Sequence, residues 1–129
     1  MRIFKTKWFA RFARKEGIED NKLIDAITEA EKGVSVIDLG GGLIKKRVSR
    51  SGQGKSGGYR TIIVYQVKTL AVFVYGFPKS AKANLNAVEL DAYKKLAQVF
   101  LSFSDKDIAK ALNAGELMEV DTHGQEIQK

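Results

Sequence analysis

Apolar residues recur at helical spacing in the first quarter of this chain, at strand spacing through its middle, and at helical spacing again beyond it. Residues 2–4 suit a short strand. Thr6 is then placed to cap a helix that runs through Lys15 and stops at Gly17, with Trp8, Phe9, Phe12 and Ala13 as a stripe expected to pack in the core. A second helix over residues 20–32 carries Leu23, Ile24, Ile27 and Ala30 on one face, and Gly33 closes it. Residues 36–39 read as a short extended piece, after which Gly40, Gly41 and Gly42 allow a sharp turn or the close approach of another backbone.

Residues 43–49, 59–67 and 70–77 are rich in β-branched and aromatic side chains, and their spacing predicts consecutive antiparallel strands. A loop over residues 50–58 joins the first two, and a turn at Lys68 and Thr69 joins the second pair. Pro78, the single proline, ends the last of them because it cannot donate to a ladder. Asn84 or Asn86 then caps a long helix whose apolar positions are Val88, Leu90, Tyr93, Leu96, Ala97, Phe100 and Leu101. Ser104 opens a short final helix that stops near Gly115, and about residues 116–129 are left as a polar C-terminal tail. The expected fold class is α+β: one domain over residues 1–129, with a small antiparallel sheet between N-terminal and C-terminal helices.

Charge changes this picture more than composition does. The chain is 44% hydrophobic and 29% charged, as an ordinary globular domain is. It carries 22 Lys and Arg against 15 Asp and Glu, a net charge of +7. From Lys45 to Lys82 there is no Asp or Glu at all, while Lys45, Lys46, Arg47, Arg50, Lys55, Arg60, Lys68, Lys79 and Lys82 all fall within that stretch. An acid-free basic centre favours a polyanion. Cysteine is absent, which removes disulfides, thiolate metal sites and cysteine nucleophiles. The N-terminus has Arg2, Lys5 and Lys7 without an apolar signal core behind them, and no apolar run is long enough to span a bilayer, so a cytoplasmic location is expected.

Residues 52–60 read Gly-Gln-Gly-Lys-Ser-Gly-Gly-Tyr-Arg. The spacing imitates a dinucleotide-binding turn, but that motif must open a helix, and strand formers follow here. It also imitates the end of a P-loop, whose first glycine would have to stand at Ser49. A protein-kinase glycine loop lies between strands, yet that fold needs far more chain. The loop is better suited to holding an anion between two strands. Strand alternation sets Lys45, Arg47 and Ser49 on one face with Ile44, Lys46 and Val48 on the other. In a meander, Arg47, Lys55, Arg60 and Lys79 fall at one end of the sheet, where guanidinium groups and glycine amides would suit a phosphodiester.

On RNA such a site could also cut, without a metal or another cofactor. The 2′-OH attacks its own phosphate when a base takes its proton and cations stabilise the charge that builds on phosphorus. His123 lies in the polar tail and reads as an ordinary exposed residue. A lysine among cations, whose neutral form is favoured, is a reasonable base, and Lys46, Lys55, Lys79 and Lys82 fit that description. Binding without turnover stays open. Tyr65, Phe73 and Tyr75 read as sheet packing, and Tyr59 reads either as a base-stacking residue or as part of the core edge.

The run Gly-Lys-Ser-Gly-Gly-Tyr-Arg-x-Ile, preceded by Lys-Lys-Arg and followed by Phe-Val-Tyr-Gly-Phe-Pro-Lys-Ser-Ala-Lys-Ala-Asn-Leu, resembles the RelE/HigB toxin family of bacterial type II toxin–antitoxin modules. The likeness extends to the Glu89-Leu-x-Ala-Tyr-Lys-Lys-Leu-Ala helix and the ending Ala-Gly-Glu-Leu-Met-Glu-Val120. It implies a small microbial RNase-like fold that enters the ribosomal decoding site and cuts mRNA, neutralised by a cognate antitoxin that is often a helix-turn-helix protein.

The strand cation of that pattern falls on Lys46 or Arg47. The resemblance carries over the loop Lys55, Arg60 and the post-strand Lys79 and Lys82 as well; with the residue reading above, Arg47, Lys55, Arg60 and Lys79 are the expected catalytic residues, and Lys45, Lys46, Arg50, Tyr59 and Lys82 the expected RNA contacts. Some members add a late tyrosine or arginine, where this chain has Ser80-Ala81-Lys82. Related ParE-type toxins share the fold and poison DNA gyrase, so fold alone does not fix the activity.

Overall fold

The computed structural model describes residues 1–49 and 58–121. Arg50, Lys55 and His123 therefore lie outside the described residues. Ten elements follow one another: β1 (Arg2–Thr6), α1 (Lys7–Glu16), α2 (Asp20–Glu31), β2 (Val36–Gly40), β3 (Leu43–Val48), β4 (Tyr59–Gln66), β5 (Leu70–Pro78), α3 (Ala87–Leu101), α4 (Asp105–Asn113) and β6 (Leu117–Glu119).

The helix boundaries are set by local chemistry. Thr6 accepts a bond from the Phe9 amide at the start of α1, and Gly17, at φ 72°, receives the left-handed turn that ends it. Asn86 with Glu89 and Ser104 with Asp107 form reciprocal capping boxes at α3 and α4. The glycine turn between β2 and β3 is tucked beneath α3: a Cβ on Gly42, at φ +85°, would come within 2.5 Å of Leu101 Cδ1.

One six-stranded sheet runs in the order β2-β3-β4-β5-β1-β6. The expected meander β3-β4-β5 forms its centre, and two differences appear at the edge. β1 lies parallel to β5 through Ile3↔Ala71 and Phe4↔Val72, so the sheet is mixed and mostly antiparallel. Residues 117–119 are not tail; they form an edge strand on β1, and Val120 is buried and donates its amide to the Ile3 carbonyl at 2.8 Å. Glu116, Glu119 and Asp121 make that segment read as polar, but β1 supplies its hydrogen bonds and Arg2 pairs with Glu119.

Each face of the sheet has its own core. On one, α1 and α2 cover Ile44, Val48, Tyr59, Ile63 and Phe73 with Phe9, Leu23 and Ile27. On the other, α3 and α4 pack Ala97, Ile108 and Ala111 over Leu43, Ile62, Val64 and Phe77. This second cover is thinner. Within α3 only Ala97 is buried, and Val88 is 79% exposed. Trp8 departs from its expected core role: it is 46% exposed, while Phe9, Ala10 and Ala13 are the residues α1 buries.

Candidate functional site

Consecutive side chains of β3 face opposite ways, and the pairing of strands turns that alternation into a site. Arg47 stands directly across from Arg60, and Lys45 across from Ile62 on one side and Ile37 on the other. Lys45, Arg47 and Arg60 therefore share the thinly covered face. They line a cavity of about 320 Å³ whose wall, among the described residues, is completed by Ser35 and by Val36 and Ile37 of the β2 edge. Like charges directly opposite on adjacent strands destabilise a sheet, so this arrangement works against the fold unless an anion occupies it.

Lys45 is the electrostatic centre of the cavity. Its ammonium donates to Oδ1 of Asn84, in the stretch between β5 and α3. Burial, with the positive charges of Arg60 and Arg47 added to it, pulls its pKa below that of an ordinary lysine. Cations in the lining repel a metal ion and attract a phosphate, and a lysine with a lowered pKa is able to exchange a proton.

The residues expected from sequence divide clearly. Arg47, Arg60 and Lys45 come together. Lys79 is exposed at the same end of the sheet, where its amide donates to the Gly58 carbonyl, but it does not line the cavity. Lys82 lies further along the same face, paired with Glu89 at 2.6 Å and 5.4 Å above the rings of both Tyr75 and Phe77. Arg50 and Lys55 fall outside the described residues.

Two expectations are corrected. Lys46, expected as an RNA contact and candidate base, lies away from the cavity: it is fully buried on the opposite face, donating to Glu29 at 2.7 Å and to the Arg47 carbonyl at 2.8 Å. Tyr59, expected as an RNA contact with the core edge as its other reading, is 2% exposed, with its hydroxyl on Glu16 and its ring edge-on to Phe12, so the core-edge reading is the one the structure has. Sequence reasoning also left Lys45 out of its candidate bases and did not name Asn84, the acceptor of the Lys45 ammonium. The alternation that groups Lys45 with Arg47 was the available signal; the position of Asn84 depends on how the chain returns after β5.

Among the described residues no helix is long and apolar enough to cross a membrane. A search of curated proteins gives no match. The family model described as the RelE toxin of the RelE/RelB toxin–antitoxin system matches residues 1–120, which include every element of the sheet and the whole cationic cavity. With that match over nearly its full length and a mostly antiparallel α+β sheet to go with it, the chain belongs to the RelE family of toxins, whose partner is a RelB-like antitoxin.

Proposed function

We propose that the protein is an endoribonuclease that cuts mRNA on the ribosome, and that Lys45, Arg47 and Arg60 carry the reaction. The observation that supports this most directly is the meeting of two arginines and a lysine of lowered pKa in one cavity. The scissile phosphate sits between the guanidinium groups of Arg47 and Arg60. Neutral Lys45 takes the proton of the adjacent 2′-OH, which attacks phosphorus, and the 5′ oxygen leaves to give a cyclic phosphate and a 5′ hydroxyl. The arginines bind most tightly when negative charge builds on the phosphoryl oxygens, which is what lowers the barrier. Lys79, exposed at the same end of the sheet, serves the leaving oxygen.

An open cavity holds a phosphate but does little to orient the sugar. Alignment of the 2′-OH with the leaving oxygen is therefore assigned to the ribosome, which presents the codon in a fixed geometry. Primer extension on mRNA in a purified translation system tests the proposal. Codon-positioned cuts that require ribosomes support it. Equal cutting of free RNA removes the ribosome from it, and inhibition of gyrase supercoiling without RNA cleavage replaces it with the ParE-type activity.

A further inference from the structure

The thin face carries a second feature beside the cavity. The row that holds Lys45 continues across the sheet through Ile62 to Tyr75 of β5. At strand spacing, Tyr75 stands about 10 Å from the strand of Lys45. Tyr75 is stacked with Tyr93 of α3 at 5.2 Å between ring centroids, and the ring of Trp8 of α1 lies tilted to it at 4.8 Å. Trp8 is also stacked on Phe12, and it is still 46% exposed. Aromatic rings thus run from Tyr75, two strands from Lys45, to the indole of Trp8, which is open to solvent.

The surroundings of this surface are basic. Lys82 stands over the rings of Tyr75 and Phe77, and the exposed residues flanking Trp8 on α1 are Lys7 and Arg11. Residues 1–15 contain no Asp or Glu. A 46% exposed indole backed by half-buried phenol rings, with Lys7, Arg11 and Lys82 around it and Glu89 held by Lys82, two strands from a cationic cavity, matches the stacking platform and electrostatic track of a single-stranded nucleic-acid groove.

We infer that Trp8, backed by Tyr75 and Tyr93, is a nucleobase subsite that stacks on a base of the single-stranded RNA whose phosphate lies between Arg47 and Arg60. The inference rests on the nuclease reading for the identity of that phosphate. It assigns to α1 a role in holding the strand, separate from the chemistry on β3 and β4. Lys82, oriented by Glu89, places its charge beside the same strand.

Trp8 is the single tryptophan, so its fluorescence reports on this one position. The probe is a short RNA with every 2′-OH methylated, which cannot be cut, compared with an abasic strand of equal length. Both are titrated at low salt, with binding followed by anisotropy and stacking by Trp8 emission. The expected result is binding of the methylated RNA with quenching of the indole, and binding of the abasic strand about tenfold weaker without quenching. Trp8→Leu should bind the methylated RNA about tenfold more weakly. In ribosome assays it should raise KM and keep kcat, and Trp8→Phe should restore most of the affinity. Circular dichroism and urea unfolding check that both variants fold.

RNA that binds without quenching, is lost in Arg60→Ala and binds equally well to Trp8→Leu overturns the base subsite and leaves the phosphate cavity standing. Failure of the wild type to bind the methylated RNA overturns both. A Trp8→Leu protein that loses antitoxin affinity and keeps RNA affinity overturns the subsite in favour of a protein contact.

Discussion

Lys45, Lys46 and Arg47 are consecutive cations on one strand, and they have nothing else in common. Lys46 points into the side of the sheet covered by α1 and α2, where it has no exposed surface and its charge is balanced by Glu29. Lys45 and Arg47 point to the side covered only in part by α3 and α4, opposite another arginine. A charge on the covered face has to bring its own partner, because desolvation of a lone ammonium is prohibitive. Charges on the thin face stay partly hydrated and can wait for a partner from outside. The depth of cover over each face, more than the residue type, decides which cations hold the fold and which are left for a ligand.

The largest effect that tests this division is on the rate. Arg60→Ala should slow ribosome-dependent cleavage by roughly 100- to 1000-fold, the range for removing one donor to transition-state charge. Arg47→Ala should do nearly the same. Neither should lower the urea midpoint, since each removes one member of a repelling pair, and a change within about 0.5 kcal/mol is expected. If Arg60→Ala cuts as well as the wild type, the cavity is not the nuclease site.

Lys46→Ala should show the converse. Breaking a buried ion pair costs about 3–5 kcal/mol, and the lower end applies here because Glu29 keeps 34% of its side chain exposed and can rehydrate. The urea midpoint should fall accordingly with an unchanged slope, while the surviving folded protein cleaves at the wild-type rate. A Lys46→Ala protein that is stable but inactive would return Lys46 to the catalytic set.

Much of this was legible in the sequence. The β3-β4-β5 meander, the Thr6 cap, the stop at Gly17 and the Asn86 and Ser104 caps all follow from local spacing and hydrogen-bonding chemistry, and the structure has them. Long-range pairing was not legible. The parallel seat of β1 beside β5 and the capture of residues 117–119 by β1 depend on partners far along the chain. The site followed the same rule. Alternation separated Lys45 and Arg47 from Lys46, but the family pattern, aligned without knowledge of burial, spread its RNA contacts over both faces. Tyr59 read from its neighbours as either a stacking residue or part of the core edge, and Trp8 read as core from its helix; Tyr59 is buried and Trp8 is 46% exposed.

The pKa of Lys45 gives a finer test of the thin face. Burial lowers it first and the two arginines add to that, so removing an arginine charge should raise it. With the amine protonated over a wider range, the cleavage rate of Arg47→Gln, measured on its residual activity, should climb with pH along a limb displaced to higher pH. The Lys45 Cε chemical shift, followed through a pH titration of the free protein, checks this without relying on turnover. An unmoved limb and an unmoved NMR titration would mean that the arginine charge is screened from Lys45.

The smallest effect should have the opposite sign. Asn84 accepts a hydrogen bond from the Lys45 ammonium, and an acceptor favours the protonated amine. Asn84→Ala removes that acceptor while burial and both arginine charges remain, so the Lys45 pKa should fall further and the rising limb should move to lower pH. Cleavage near neutrality should then change only a few-fold, because more of the amine is neutral but its position is less well held. Opposite displacements in Arg47→Gln and Asn84→Ala, seen in one NMR titration, would place Lys45 between a repelling charge and a neutral acceptor. A shift in the same direction for both would mean that Asn84 acts on hydration of the cavity rather than on the ammonium itself.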